Sequence, residues 1–168
     1  MALSRAFGFS KPRPPSMDMI ERNLYLCGID EVTDIEVLKQ HEITHILTIN
    51  DIPLPGFVKR ACPYMKMKFI MAEDAPHSDL LSYFDETYEF IKDGLSRGAV
   101  VVHCVMGVSR SATIVIAYLM KKYKLSYRKA SAMVRSKRPV CPNTGFVKQL
   151  ENYEQLGYNT LYRFSRRY

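Results

Sequence analysis

The sequence predicts an α/β fold in which helices flank a central mixed, mostly parallel sheet. Short apolar runs rich in β-branched residues recur along the chain, and segments with a helical spacing of apolar residues separate most of them. Buried strands that alternate with helices are typical of a parallel sheet. The chain has 168 residues, which is enough for one domain with a substantial hydrophobic core.

The first half of the chain is predicted to form three strands and one short helix. Residues 23–28 and 43–49 are short apolar runs, and 61–70 alternates Met or Phe with Lys, which indicates a strand with one solvated face. The polar residues and prolines after the second of these runs are predicted only to end its strand. Thr33 is the predicted N-cap of a helix over 34–40, because a glutamate three residues later completes a capping box.

The second half is predicted to be mainly helical around one buried strand. Residues 79–98 carry apolar side chains at spacings of three and four and stop at a glycine, as an amphipathic helix does. The run 112–120 is almost wholly apolar and contains neither Gly nor Pro, which indicates a buried helix. The other predicted elements are a strand over 100–104 and helices over 126–138 and 143–157.

Composition and charge limit the classes of function. Hydrophobic residues make up 47% of the chain and charged residues 24%, the proportions of an ordinary globular protein. No apolar run is long enough to span a membrane, and the N-terminus shows no secretory or N-myristoylation signal, so we expect no membrane anchor. The net charge of +7 favours anionic substrates. It also leaves nucleic acid or a ribonucleoprotein open as a partner.

The sequence divides into one globular domain and two basic ends. We predict a flexible, proline-containing leader over 1–19, the domain over 20–157, and an aromatic tail over 158–168. The four cysteines show no CxxC pair and no metal-ligand spacing, so we expect neither a disulfide framework nor a metal site. We therefore expect a reducing compartment, the cytoplasm or the nucleus. Whether another cysteine bonds to Cys104 is left open by the sequence.

The stretch around Cys104 combines a strand, a tight loop and a helix. The strand ends at this cysteine, and the loop leads directly into the apolar helix. Unpaired N–H groups of a helix N-terminus and of a curled loop bind anions. Gly107 allows the loop to turn, and the guanidinium of Arg110 can hold two oxygens of a phosphate. Such an environment favours the cysteine thiolate, the form that attacks in covalent catalysis of phosphoryl transfer.

The residues His-Cys-(five residues)-Arg-Ser at 103–111 resemble the signature of the cysteine-based protein phosphatases, and the form HCxxGxSRS resembles the dual-specificity branch. One departure is Met106, where that branch most often has alanine. The resemblance implies a protein-tyrosine-phosphatase-like fold, with a catalytic domain over 20–157 that forms a cysteinyl-phosphate at Cys104 without a metal or cofactor. It also implies that the loop binds the phosphate through Val105, Met106, Gly107, Val108, Ser109 and Arg110.

The same resemblance implies a general acid upstream of the cysteine. The family carries an aspartate on a loop about thirty residues before its cysteine, and Asp74 holds this position in a polar loop. An acid is required because a serine or threonine alkoxide is a very poor leaving group. Glu73 and Asp79 are the alternatives, although Asp79 also fits the N-cap of the next helix.

The resemblance assigns supporting roles to three further residues. Ser111 is expected to donate its hydroxyl to the departing thiolate, and His103 to hold backbone near the loop. The segment RPVCPNTGF at 138–146 resembles another family segment, in which the asparagine supports the phosphate loop. Asn143 is expected in that role, with a simple N-cap as the alternative.

The expected substrate is a phosphorylated protein. The chain is too short for the extra loops that deepen the pocket of larger tyrosine-specific relatives, so we expect a shallow cleft that admits phosphotyrosine, phosphoserine and phosphothreonine. The phosphate loop also lacks the lysine that is common in relatives acting on inositol phospholipids. The alternatives are the same chemistry on an RNA, lipid or sugar phosphate, or a module that binds phosphopeptides without turnover.

Overall fold

The computed structural model describes residues 16–161. Most of the predicted leader and the last seven residues of the predicted tail lie outside this range, so their predicted character is not addressed. Within it, Tyr158 and Thr160 contact the domain: the Tyr158 hydroxyl donates to the Leu125 carbonyl at 3.0 Å, and the Thr160 N–H donates to Asp85 at 2.7 Å.

A five-stranded sheet runs through the middle of the domain in the order β1-β2-β5-β3-β4. Strand β1 is antiparallel to β2, and the other three pairs are parallel. The sheet is therefore mixed and mostly parallel, as predicted. The strands are β1 Asp18–Glu21, β2 Leu24–Cys27, β3 Ile43–Asn50, β4 Lys66–Met71 and β5 Ala99–His103.

Helices cover both faces of the sheet. Alternate residues of β5 belong to different hydrophobic clusters, with Val100 and Val102 in the larger one and Val101 in the smaller one, as expected for opposite faces of a strand. The helices are α1 Ile29–Thr33, α2 Ile35–Gln40, α3 Gly56–Ala61, α4 Phe84–Arg97 after a 3₁₀ turn at Leu81–Tyr83, α5 Arg110–Tyr123, α6 Tyr127–Arg135 and α7 Thr144–Gln155.

Helix α5 lies at the centre of the larger core. Every residue from Arg110 to Met120 is buried, and the helix packs against α4, α6, α7 and the sheet. This confirms the buried helix predicted from the apolar run. None of the helices among residues 16–161 is long and apolar enough to cross a membrane.

The prediction of Thr33 as an N-cap is wrong. Thr33 is the last residue of α1, and its hydroxyl donates to the Ile29 carbonyl at 3.0 Å. Asp34 caps α2 instead, because its carboxylate accepts from the N–H groups of Glu36 and Val37. The observed N-cap lies one residue after the predicted one. The reason is that the helix α1, which the sequence analysis did not predict, uses the Thr33 hydroxyl within its own last turn.

Two other elements, β1 and α3, were not predicted. Strand β1 has only four residues and one buried side chain, Ile20, so its sequence carries no clear period. It forms because it pairs with β2 across a turn at Asn23, which adopts a positive φ of 63°. Its first two residues fall inside the segment that the sequence predicts as leader.

The parallel strands bring the functional segments to one edge of the sheet. Thr48 of β3 is in register with His103 of β5, and Asn50 is in register with Met71 of β4. The residues that directly follow the three strands therefore lie side by side at their carboxyl ends, where ligands bind in open α/β sheets.

Candidate active site

The loop between β5 and α5 curls around the sulfur of Cys104. The side chain is 2% exposed, and its Sγ accepts hydrogen bonds from the Gly107 N–H at 3.2 Å and from the Ser111 hydroxyl at 3.1 Å. Both donors favour a negatively charged sulfur. The structure thus places Ser111 where the sequence expects it, next to the sulfur.

Position 107 requires a glycine because the loop leaves no space for a side chain. Its φ of 66° lies in the left-handed region, and a Cβ there would overlap the Cys27 carbonyl and crowd the guanidinium of Arg138. The glycine therefore sets the curvature that turns its N–H toward the sulfur.

A cleft of about 430 Å³ opens above Cys104. Its walls come from the phosphate loop, from the loop after β4 and from the segment before α7. The lining residues are Asp74, Cys104, Met106, Val108, Ser109, Arg110, Cys141 and Asn143. Val105 lies outside this set: its side chain is exposed, and its carbonyl accepts from the Ile29 N–H at 2.9 Å.

Arg110 brings a buried positive charge to this cleft. The residue is 6% exposed, and its Nη1 donates to the carboxylate of Asp51 and, at 3.1 Å, to the carbonyl of Ala72. Its Nε is buried without a hydrogen-bond partner among residues 16–161. Buried donors are normally satisfied, so this one is available to an oxygen of a bound anion.

Asp74 lies at the mouth of the cleft beside the phosphate loop. Its Oδ1 accepts from the Ser109 hydroxyl at 2.7 Å and from the Asn143 side-chain amide at 2.9 Å. The two alternative carboxylates do not line the cleft. Glu73 lies 3.5 Å from the His77 ring, and Asp79 accepts from the Ser82 N–H at 3.1 Å, as an N-cap does.

Asn143 combines the two roles that the sequence left open. Its Oδ1 accepts from the Phe146 N–H at 3.0 Å and so caps α7. Its amide holds Asp74, and its backbone N–H donates to the Ser109 hydroxyl at 3.1 Å. One residue therefore connects the helix, the phosphate loop and the carboxylate.

His103 lies beneath the loop, away from the cleft. Its Nδ1 donates to the Cys104 carbonyl at 3.1 Å, so Nε2 is the acceptor for the Thr48 hydroxyl at 2.7 Å. Complete burial lowers the pKa of His103 to about 4, and the bond to the carbonyl opposes this only in part. The ring is therefore neutral at pH 7 and holds backbone, as the sequence predicts.

Comparison with known proteins agrees with this geometry. Residues 24–156 match the family described as "Dual specificity phosphatase, catalytic domain". The chain belongs to the dual specificity phosphatase family. Members of this family are hydrolases that act on phosphorylated proteins.

Several family members are similar over most of this chain. Dual specificity protein phosphatase 1B of Arabidopsis thaliana is 42% identical over 141 residues, which are 81% of this chain and 80% of that protein. Dual specificity protein phosphatase MPK-4 of Drosophila melanogaster is 39% identical over 146 residues, 86% of this chain but only 38% of that protein. The Yvh1 phosphatase domain from Chaetomium thermophilum superposes with a TM-score of 0.79 at 31% identity, covering 86% of this chain and all of that one.

Asp51 is a residue of this phosphatase site that the sequence did not predict. It directly follows β3 and is 61% exposed on its side chain, yet it pairs with the buried guanidinium of Arg110. The sequence marks it only as the end of a strand. The signal that could have found it is its place directly after a strand parallel to the one that Cys104 follows.

Helix α7 positions the loop of Asp74 through Gln149 and Gly145, to which the sequence analysis assigns no role. The Gln149 side chain accepts from the N–H groups of Leu80 and Leu81, both at 2.8 Å, and donates to the Ser78 carbonyl at 2.7 Å. A Cβ at Gly145 would overlap the Pro76 carbonyl, so this glycine allows the loop to lie directly on α7.

All four cysteines lie within the described residues and are free thiols. Cys141 is exposed and lines the cleft, whereas Cys27 is buried behind the phosphate loop. Burial raises the pKa of Cys27 well above its usual range, and the nearby Glu31 raises it further. Cys27 is therefore a neutral thiol at pH 7.

Proposed function

We propose that this chain hydrolyses phosphotyrosine and phosphoserine or phosphothreonine in proteins through a cysteinyl-phosphate at Cys104. The observation that carries the proposal is the buried sulfur, which accepts two hydrogen bonds within a cleft that also holds Arg110 and Asp74. A nucleophile, an oxyanion site and a carboxylic acid are the three parts that this reaction class needs.

In the first step the thiolate of Cys104 attacks phosphorus and the bond to the substrate oxygen breaks. The guanidinium of Arg110 and the N–H groups of the loop from Val105 to Ser109 bind the three equatorial oxygens. Asp74 gives its proton to the leaving oxygen. Because the hydrogen bonds from Ser109 and Asn143 both end on Oδ1, we place that proton on Oδ2.

In the second step water cleaves the phosphorus–sulfur bond. Asp74, now ionised, takes a proton from the water as it attacks, and inorganic phosphate forms. The Ser111 hydroxyl, 3.1 Å from the sulfur, stabilises the thiolate that departs. His103 and Asn143 act through the backbone and side chains they hold rather than by touching phosphate.

We propose phosphoproteins as the substrates, with phosphotyrosine and phosphoserine or phosphothreonine as the residues that enter the cleft. The lining consists of the loop itself and two adjoining segments, and among residues 16–161 Arg110 is its only cationic side chain. Within this part of the chain the lining offers no second cation for an inositol phosphate, which favours a phosphopeptide over a polyanionic lipid headgroup. Because the nucleophile works only as a free thiol, we propose the reducing cytoplasm or nucleus as its compartment.

The direct test is hydrolysis by the purified chain in the presence of a chelator. We expect release of phosphate from an aryl phosphate, and from peptides that carry either phosphotyrosine or phosphothreonine, because the proposed mechanism takes its nucleophile from Cys104 and its positive charge from Arg110. A matched RNA 5′-phosphate and an inositol phosphate serve as competing substrates. Binding of phosphopeptides without any turnover would contradict the proposal and favour a binding module.

Replacement of Asp74 by asparagine tests the general acid. We expect kcat to fall by about 10²–10⁴-fold, the usual contribution of a positioned acid. The decline of activity at high pH should also disappear, because that decline reports loss of the proton from the acid. The measurement is the pH dependence of kcat/KM for an aryl phosphate.

Glu73→Gln is the matched control for this variant, since Glu73 is adjacent but does not line the cleft. It should keep the wild-type pH profile. An unchanged profile in Asp74→Asn, or a flattened one in Glu73→Gln, would move the general acid away from Asp74.

A further inference from the structure

Arg138 is a buried arginine that lies behind the phosphate loop and has no part in the proposed chemistry. It follows α6, is 9% exposed, and its backbone N–H donates to the Val134 carbonyl at 2.9 Å. Burying a guanidinium is costly unless its donors are satisfied. The buried guanidinium of Arg138 therefore needs hydrogen-bond acceptors around it.

Two of these partners are backbone carbonyls of the phosphate loop. The Nε of Arg138 donates to the Gly107 carbonyl at 2.8 Å, and Nη2 donates to the Met106 carbonyl at 3.0 Å. The planar guanidinium thus grips two consecutive peptide groups of the loop in a fixed geometry.

The N–H groups of these two peptides point away from Arg138, toward Cys104 and the cleft. In a planar trans peptide the C=O and the N–H point in opposite directions. The peptide whose carbonyl is that of Met106 supplies the Gly107 N–H, which donates to the sulfur of Cys104 at 3.2 Å. The next peptide supplies the N–H of Val108, a residue that lines the cleft.

The orientation of the guanidinium is fixed from the other side by the start of the domain. Nη1 of Arg138 donates to the Ser16 carbonyl at 2.9 Å and to the Asp18 carboxylate at 2.8 Å. Both members of this ion pair are nearly buried, so water screens it little. Strand β1 and the phosphate loop are therefore joined through one side chain.

We propose that Arg138 is a positioning residue that holds the 106–107 and 107–108 peptides so that their N–H groups face the sulfur and the bound phosphate. A charged donor on a carbonyl also polarises the peptide and strengthens the hydrogen bond that its N–H makes. Arg138 therefore promotes thiolate reactivity and oxyanion binding without touching the substrate. This inference rests on the proposed function, because it concerns the same nucleophile.

Other ionisable groups around the sulfur lie on separate elements. They are Arg110 at the start of α5, Asp51 after β3, Asp74 after β4, the neutral His103 on β5, and the neutral thiol of Cys27 on β2. Asp18 on β1 loses its hydrogen bond from Arg138 in a variant without donors, whereas a lysine keeps a cation beside it. Comparison of the two kinds of variant therefore separates the loop contacts from the charge beside Asp18.

The test compares Arg138→Met, which keeps an unbranched apolar stem but loses every donor, with Arg138→Lys, which keeps the charge but lacks the planar fork that holds two carbonyls in a fixed geometry. We expect kcat/KM for an aryl phosphate to fall by on the order of 100-fold in the methionine variant, the effect of a small misplacement in an active site. The lysine variant should be intermediate. Arg135→Met, an exposed position on α6, is the matched control and should behave as wild type.

A second readout separates positioning from simple support of the fold. Alkylation of Cys104 by iodoacetamide is followed against pH and quantified by peptide mass spectrometry, because the exposed thiol of Cys141 reacts with the same reagent. We expect the midpoint of this profile to move to higher pH in Arg138→Met and less so in Arg138→Lys. Thermal unfolding of each variant shows whether the domain is intact under the assay conditions.

An unchanged alkylation profile in a folded Arg138→Met variant would overturn the proposal, even if activity fell. If the methionine variant does not fold, the lysine variant decides: a profile and kcat/KM equal to wild type would overturn the proposal in the same way. Alkylation does not require turnover. Failure of the proposed function would instead be seen as a wild-type chain that hydrolyses no phosphate monoester.

Discussion

Replacement of Cys104 by serine is expected to abolish turnover while phosphate still binds. A serine hydroxyl is a far weaker nucleophile than a thiolate at neutral pH, and the groups that contact this position are hydrogen-bond donors, the Gly107 N–H and the Ser111 hydroxyl, rather than a base. The expected loss in kcat is on the order of 10⁶-fold, as when another hydrolase is deprived of its nucleophile. The loop N–H groups and Arg110 remain, so vanadate or phosphate should still bind.

Two measurements check this prediction. Turnover of an aryl phosphate is assayed with a chelator present, and vanadate binding is measured by calorimetry. Cys141→Ser is the matched control, because it removes an exposed thiol from the same cleft. Residual metal-free turnover in Cys104→Ser, or its loss in Cys141→Ser instead, would refute the assignment of the nucleophile.

Replacement of Arg110 by lysine is expected to impair turnover strongly, although the charge is kept. An ammonium cannot donate to two phosphate oxygens in one plane, and it cannot retain the bonds to Asp51 and the Ala72 carbonyl as well. We expect kcat to fall by about 10²–10³-fold, the cost of removing a preorganised oxyanion donor. The affinity for vanadate should fall together with kcat.

The control for this variant is Arg135→Lys at an exposed position, which should keep wild-type kinetics. Loss in kcat without any loss of vanadate affinity would show that Arg110 orients another group rather than the oxyanion. Wild-type kinetics in Arg110→Lys would remove the guanidinium from the proposed mechanism altogether.

Much of this site follows from local sequence, because its parts are close along the chain. Cys104, Gly107 and Ser111 fall within one loop and the first turn of one helix, so the motif that carries the family resemblance contains all three. The same holds for Asn143, whose cap on α7 is a three-residue interaction. The sequence also predicts the parallel sheet, since alternation of apolar runs with helical periods is a local pattern.

Prediction fails where a contact joins distant segments or where a neighbouring element is missed. Thr33 was assigned the wrong role because the helix that ends on it gives no strong period of its own. The sequence assigns no role to Asp51, nor to Arg138 within its motif, and only the positions of β3 and α6 bring them to the site.

The sequence by itself determined that a cysteine ends a buried strand beneath an anion-binding loop, because the strand, the glycine, the arginine and the helix are consecutive. Only the tertiary structure decided that Asp74, rather than Glu73 or Asp79, lines the cleft above that cysteine. The same is true of Asp51 on one side of the loop and Arg138 on the other. The physical reason is that these contacts span about thirty to sixty residues, and their geometry is set by strand register and helix packing rather than by any local period.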